Sequence, residues 1–448
     1  MKRVATVAAV LVALALAAGV AASTKHSPSG VEKAAGPNKL TVWVGWQARE
    51  LNEFRSVVAE YDKAHPDVTV DVVGNINDDK ITAAIRSGNA PDVVSSFTSA
   101  NVGVYCGTGA WIDLAPFIAK SHINLSIFPK ASLYYTQYKG KRCALPLLAD
   151  VYGLYYNKTL FKKAGLTRPP KTFTELTAYA KKLTQRNPDG SLKVVGYDPV
   201  WTFYSGNAPD MSVYFPLFGA KYIDAKGDSI LSKDPAWSRL LQWQKGLIDW
   251  YGYKNLVKFN TGAGQEFSAS NAFETGKIAM LLDGEWRVAF IAAEHPELQY
   301  GTAPGPVDPA HPDLYGAGYI NGTIIGIPKG GHNVDQAWDL VKYLTTNDHA
   351  LAKFSNGIRN VPSTTSSSRS KELKPDAHFA TFLRIFTNPH SGTTPITAAG
   401  NAYGTLISNF VNKWQAGHAK DLKSGLASLD KAIDDQLAQA EKGGGGPP

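Results

Sequence analysis

A two-lobed α/β fold is the architecture this sequence predicts, and three observations carry it. Residues 40–97 alternate strand-like and helix-like segments in βαβαβ order. Residues 144–158 form an apolar, extended run longer than one compact domain usually needs, which suits a strand passing from one lobe into another. The length of 448 residues allows two or three domain-sized units.

Residues 40–44 are strand-like. Residues 49–64 place Leu51, Phe54, Val57, Val58 and Tyr61 on one helical face, and Pro66 ends that helix. Residues 68–73 alternate apolar and polar side chains, residues 78–87 read as a short helix capped from the Asn75–Asp79 run, and residues 92–97 supply a third strand. This order implies a parallel sheet with right-handed crossovers. Ligands of open α/β sheets sit beyond the carboxyl ends of the strands. Those ends carry Trp46 and Gln47 in one case, Phe97 and Ser99 in the other.

A helix is expected over 159–164, closed by Gly165. Thr172 and Glu175 have capping-box spacing, and Phe173, Leu176, Ala180 and Leu183 continue the next helix. Residues 273–286 read as a helix end, a tight turn at Gly276, a buried strand over 278–282, a turn at Asp283-Gly284 and an exposed Trp286. Gly and Pro flank residues 299–306, where a second crossing can bend. A strand over 323–327 and a helix over 334–345 follow, and residues 363–370 read as a polar loop returning to the second lobe. Residues 421–440 put Leu422, Leu426, Leu429, Ile433 and Leu437 on one face, which plain lobe packing explains.

Hydrophobic content of 44% against 19% charged residues suits globular folding. The formal net charge of +8 is spread over short spots such as Lys139–Arg142, Lys162–Lys163 and Lys181–Lys182. These suit a solvated surface, not a phosphate-tracking stripe, so no nucleic-acid partner is expected. Lys2 and Arg3, the apolar run 4–20 and small Ala21, Ala22 and Ser23 read as an export signal over residues 1–22. Residues 23–38 read as a Ser/Pro/Gly/Lys linker, and 443–448 as a disordered tail. Cys106 and Cys143 are an even pair; in an exported protein they suggest a disulfide, the alternative being two buried thiols. They lack zinc-ligand spacing.

Catalytic signatures are mostly missing. There is no Gly-x-Ser-x-Gly elbow, no His-Glu-x-x-His helix and no phosphate loop. A glycosidase would need two carboxylates flanking one bond, and Asp150, Asp283 and Glu285 could be proposed. Their plainer readings are a hydroxyl contact, a turn and a solvated charge.

Several phrases in order carry a resemblance: Tyr156-Asn157-Lys158 with Leu160-Phe161, Ala164-Gly165-Leu166, Lys171-Thr172-Phe173, the 273–286 stretch, Tyr300-Gly301 with Pro306, and Gly357 with Pro362. In this sequence and spacing, over about residues 39–440, the chain resembles the extracellular solute-binding protein family 1, the sugar-binding group of ABC importers. The resemblance implies a periplasmic-binding-protein type II-like fold with hinge crossings. Residues 39–148 with 304–362 would form one lobe, and 149–303 with 363–442 the other. It also implies a binding protein and not an enzyme, with no cofactor, capturing an extracellular di- or oligosaccharide between the lobes and docking as a monomer on an ABC permease. The protein would work outside the cytoplasmic membrane or be secreted. Leu16–Gly19 is followed by Val20 where a lipid-acceptor Cys would stand, so no lipid anchor is expected.

By resemblance, Trp286 stacks on the sugar with Arg287 beside it, and Asp150 contacts the ligand with Tyr152 adjacent. Asn321 and Gly322 match a Gly-rich ligand loop, with Asn for the commoner Gly and Tyr319 nearby. Arg359 and Tyr403 complete the candidate set. Trp201, Phe203 and Tyr214 fall where the family varies most. A glycerophosphodiester is the alternative solute, because Arg287 or Arg359 could pair with phosphate. A glycan-active hydrolase is the alternative from another class.

Overall fold

The computed structural model describes residues 38–200 and 210–442. The signal segment, residues 23–37, Trp201, Phe203 and the tail 443–448 lie outside the described residues. Ten strands form one sheet: β1 (Asn38–Trp43), β2 (Val68–Val73), β3 (Val93–Ser96), β4 (Leu145–Asn157), β5 (Gln185–Arg186), β6 (Leu192–Tyr197), β7 (Ile278–Gly284), β8 (Tyr300–Ala303), β9 (Ile320–Gly326) and β10 (Val361–Pro362). Their order is β2-β1-β3-β9-β4-β7-β6-β5, with β8 and β10 also pairing β4. β1 runs parallel to β2 and β3, as the βαβαβ reading requires.

The 13-residue β4 is the strand the two lobes share. Leu145–Val151 pair antiparallel with β9, whereas Tyr152–Asn157 pair with β7 and β8. The change of partners therefore falls between Val151 and Tyr152. The second crossing comes later than the sequence suggests. Residues 304–319 stay with the second lobe: Val307 bridges Thr172, Asp308 pairs with Arg239 at 2.6 Å, and the chain joins β4 on the first-lobe side only from Ile320. The polar loop also differs from expectation. Thr364, Ser366 and Ser367 all bond to Asp348, so 363–368 is held on the first lobe. The return follows it, and helix Phe379–Phe386 packs on β4, where a Cβ at Gly153 would lie 2.9 Å from Phe382.

Each lobe has its own apolar centre. Helix Ala48–Ala64 buries Phe54, Val57, Val58 and Tyr61 against Leu40 and Val42 of β1 and Trp338, Leu340 and Phe354 of the helices beyond β9. Helix Val334–Thr346 presents Ala337, Trp338, Val341 and Leu344 as its spacing predicts. The second lobe buries Phe173, Leu176, Tyr214, Trp237, Leu240 and Ile248. Tyr214 is core, its hydroxyl 2.8 Å from that of Tyr197. Local chemistry sets the helix ends. Thr172 caps helix Phe173–Leu183 by accepting from Glu175 N–H at 3.2 Å, while the Glu175 carboxylate turns back to Lys171 N–H and Arg168. Asn77 caps Asp78–Arg86 through Lys80 N–H at 3.0 Å. Cys106 and Cys143 are joined by a disulfide with Cα atoms 5.5 Å apart. It fastens helix Val102–Thr108 to the residues entering β4.

Candidate ligand-binding cleft

The carboxyl ends of β1 and β3 open, as expected, on a cleft of about 730 Å³. First-lobe residues on its wall include Trp46, Gln47, Arg49, Glu50, Phe97 and Ser99. Trp46 sits in an aromatic cluster, stacked on Phe54 at 5.3 Å and edge-on to Phe97 and Phe354. Phe97 lies over Gly45, where an added Cβ would meet its ring at 2.4 Å, and remains 41% exposed at the cleft. Ser99 donates to Asn321 Oδ1, and Asn321 Nδ2 reaches the Phe97 carbonyl at 3.4 Å. This links β9 to the loop after β3.

The second lobe supplies an aromatic row. Phe290 and Phe267 meet at 5.5 Å, Phe267 and Trp286 at 6.5 Å, Trp286 and Tyr152 at 5.4 Å, and Tyr152 and Tyr319 at 5.2 Å. Tyr222 and Tyr403 stand further along, 5.7 Å apart. Trp286 lines the cleft but is only 6% exposed, more enclosed than its sequence position suggests. Gly284 explains its pose. It is the last residue of β7, paired with Tyr152, not the centre of a turn, and a Cβ there would lie 2.1 Å from the Trp286 ring. The glycine gives clearance for the indole. Gly276, at φ +73, does adopt the left-handed backbone expected of it.

Asp150, partly buried on β4, faces the cleft, and its Oδ1 accepts from Asn360 Nδ2 at 2.7 Å. Burial pushes its pKa up to about 7; the Asn360 bond opposes this and the Glu50 charge adds to it. Glu50 is likewise raised by burial, against the pull of Arg49. Arg49 gives Nη1 to the Gly357 carbonyl at 2.7 Å and sets its guanidinium 5.7 Å from the Phe290 ring of the other lobe. Asp210, Ser212, Thr394 and Asn401 add polar groups to the wall.

Three expected site residues stand elsewhere. Arg287 is fully buried and faces away from the cleft, donating from Nε to Asp283 at 2.7 Å, from Nη1 to Glu274 at 2.6 Å and from Nη2 to Glu266. Burial opposes its charge, yet the carboxylates of Glu266, Asp283 and Glu274 outweigh it and hold its pKa well above the usual value. Arg359 closes helix Asp348–Ile358 in the left-handed region at φ +62 and donates to the Lys374 carbonyl. Gly322 pairs with Ala149 and gives clearance to Tyr135, whose hydroxyl would lie 2.3 Å from an added Cβ. Its neighbour Asn321 is the one at the cleft. The remaining ten ligand candidates, from Trp46 to Tyr403, all line it. Sequence reasoning missed Asn360, one residue beyond the chosen Arg359, and Phe290, one helical turn beyond Trp286. Glu285, read as solvated, is completely buried, with Oε2 accepting from Val151 N–H at 2.6 Å and Oε1 from Asn360 at 2.9 Å.

Two lobes on a shared strand, with an aromatic and polar cleft between them, define a solute-binding protein. The chain belongs to the bacterial extracellular solute-binding proteins, whose family model matches residues 56–381. It is 24% identical over 349 residues to the maltotriose-binding protein of Pyrococcus abyssi, covering 77% of this chain and 71% of that one. A probable ABC transporter-binding protein of Deinococcus radiodurans is 27% identical over 301 residues, covering 67% and 69%. The solved structure of CpMnBP1 with mannotriose bound superposes with a TM-score of 0.76 at 27% identity, covering 90% of this chain and 100% of that chain. No helix among the described residues is long and apolar enough to cross a membrane.

Proposed function

We propose that this protein captures a neutral di- or oligosaccharide in the interlobe cleft, leaves it intact, and delivers it as a monomer to an ABC permease at the outer face of the membrane. The row from Phe290 to Tyr319 carries this reading, since aromatic faces cover the C–H faces of sugar rings while Asp150, Asn321, Ser212 and Asp210 can pair with hydroxyls. The names of the relatives, one binding maltotriose and one solved with mannotriose, support the same solute class. Closure around such a ligand would swing the lobes about the crossings on β4.

Charge disfavours the glycerophosphodiester. Both arginines offered for phosphate are engaged away from the cleft, and among the described residues the charged groups on its wall are Arg49 against Glu50, Asp150 and Asp210. The hydrolase reading also loses its residues. Asp283 is held by Arg287, and Glu285 is fully buried and bonded to Val151 and Asn360, which favours binding over hydrolysis.

A thermal-shift panel of maltotriose, mannotriose and glycerophosphodiesters tests this proposal. At 100 times Kd a ligand stabilises by about 2.7 kcal/mol, so at least one saccharide should raise Tm by several degrees. A shift with the phosphodiester alone would transfer the assignment to that solute.

A further inference from the structure

Two carboxylates meet on one amide at the back of the cleft. Asn360 Nδ2 donates to Asp150 Oδ1 at 2.7 Å and to Glu285 Oε1 at 2.9 Å. The groups facing this pair are acids or phenols: Glu50 from helix Ala48–Ala64, Tyr135 ahead of β4, Tyr155 on β4 and Tyr319 ahead of β9. The nearest cation on the wall, Arg49, stands 3.9 Å from Glu50, and Arg287 is given over to three other carboxylates. Two carboxylates bound to one amide, Glu285 fully buried and Asp150 partly so, resist double ionisation when no cation pairs with them. Burial pushes the carboxyls of both Asp150 and Glu285 above their ordinary range, while the backbone N–H groups of Val151, Glu285 and Val361 draw Glu285 back toward its anion.

We propose that Asp150 and Glu285 share one proton across Asn360, with Glu285 the anion that holds Asn360 in place and Asp150 the acid whose ionisation tunes solute affinity. The bonding favours this assignment. Both Glu285 oxygens accept N–H groups, one from Val151 at 2.6 Å and one from Asn360, which suits an anion. Asp150 accepts from Asn360 and faces the cleft, where a proton can leave. Asn360 and Glu285 are thus positioning residues that act through Asp150. The consequence for binding rests on the reading of the cleft as a hydroxyl-binding site. A hydroxyl that donates to Asp150 favours its anion, so capture releases a proton and affinity rises with pH.

A ligand-free comparison tests the shared proton. The folded-state pKa of Asp150 lies above its unfolded value, so the folded protein holds the extra proton between about pH 4 and pH 7, and that stabilisation is lost as pH rises through this window. Asp150→Asn lacks this term. The Tm of the unsubstituted protein should therefore fall relative to D150N between pH 5 and pH 8, and Glu285→Gln should flatten the difference. A Tm difference that does not change with pH, or one that persists unaltered in E285Q, would overturn the proposal. Should E285Q not fold, infrared difference spectra of the unsubstituted protein against D150N decide the matter: a protonated carboxyl band at pH 6 is expected, and its absence overturns the assignment. Maltotriose or mannotriose affinity should rise about tenfold from pH 6 to pH 8 and flatten in E285Q. If neither sugar binds at any pH, the reading of the cleft fails, while the Tm and infrared comparisons still decide the proton.

Discussion

Trp286→Ala should weaken saccharide affinity by at least about tenfold, a loss of about 1.4 kcal/mol or more. The indole stands in the middle of the aromatic row, between Phe267 and Tyr152, and is the largest ring on the second-lobe wall. Aromatic contacts contribute about 0.5–1.5 kcal/mol beyond area burial, and the truncation also removes apolar surface from the ligand. Because Trp286 is nearly enclosed, the variant should also lose stability, so affinity must be measured on protein shown to be folded. Gly284→Ala reaches the same ring from behind. Its new methyl would lie 2.1 Å from the indole and must push it out of place, leaving the ring's own apolar surface intact. Calorimetric affinities equal to those of the unsubstituted protein in both variants would remove Trp286 from the site.

Arg287→Ala should destabilise the fold by about 3–5 kcal/mol while doing little to ligand specificity. The guanidinium is fully buried among Glu266, Glu274 and Asp283, and removing it leaves three carboxylates without their shared counter-charge. Burial and the Asp283 charge already push the Glu266 carboxyl well above its ordinary range, so the cluster depends on its cation. The cluster also ties the 266–274 segment to the end of β7 beside Trp286. Because the groups are buried, added salt should not rescue the variant. Urea denaturation measures the loss directly. A cost below about 1 kcal/mol would show that the cluster contributes little to the fold.

Much of the frame was legible. Apolar spacing marked helix Ala48–Ala64 and the strands around it, and the long run at 144–158 marked the strand shared by the lobes. Trp46 and Phe97 followed from the rule that ligands gather at strand ends. Arg287 was misread because a charge next to an exposed-looking Trp reads as accessible, and only the fold brings Glu266 and Glu274 to it. Glu285 was hidden for the same reason, since its partners Val151 and Asn360 are distant in sequence. The step from Arg359 to Asn360 turns on one backbone angle, the positive φ of Arg359, which a non-glycine residue seldom announces. Gly284 and Gly322 were read as a turn and a ligand loop, although their function is clearance for Trp286 and Tyr135, a matter of tertiary distance. The late second crossing rests on long-range contacts of Val307 and Asp308 that no local pattern encodes.

The central claim, that the cleft holds an intact neutral saccharide, is tested most directly by isothermal titration with maltotriose, mannotriose and a glycerophosphodiester, followed by chromatography of the recovered solute. Saturable one-to-one binding of at least one saccharide, with the sugar recovered unchanged and no heat from the phosphodiester, is the expected result. Cleavage of the recovered sugar, or binding of the phosphodiester alone, would contradict it.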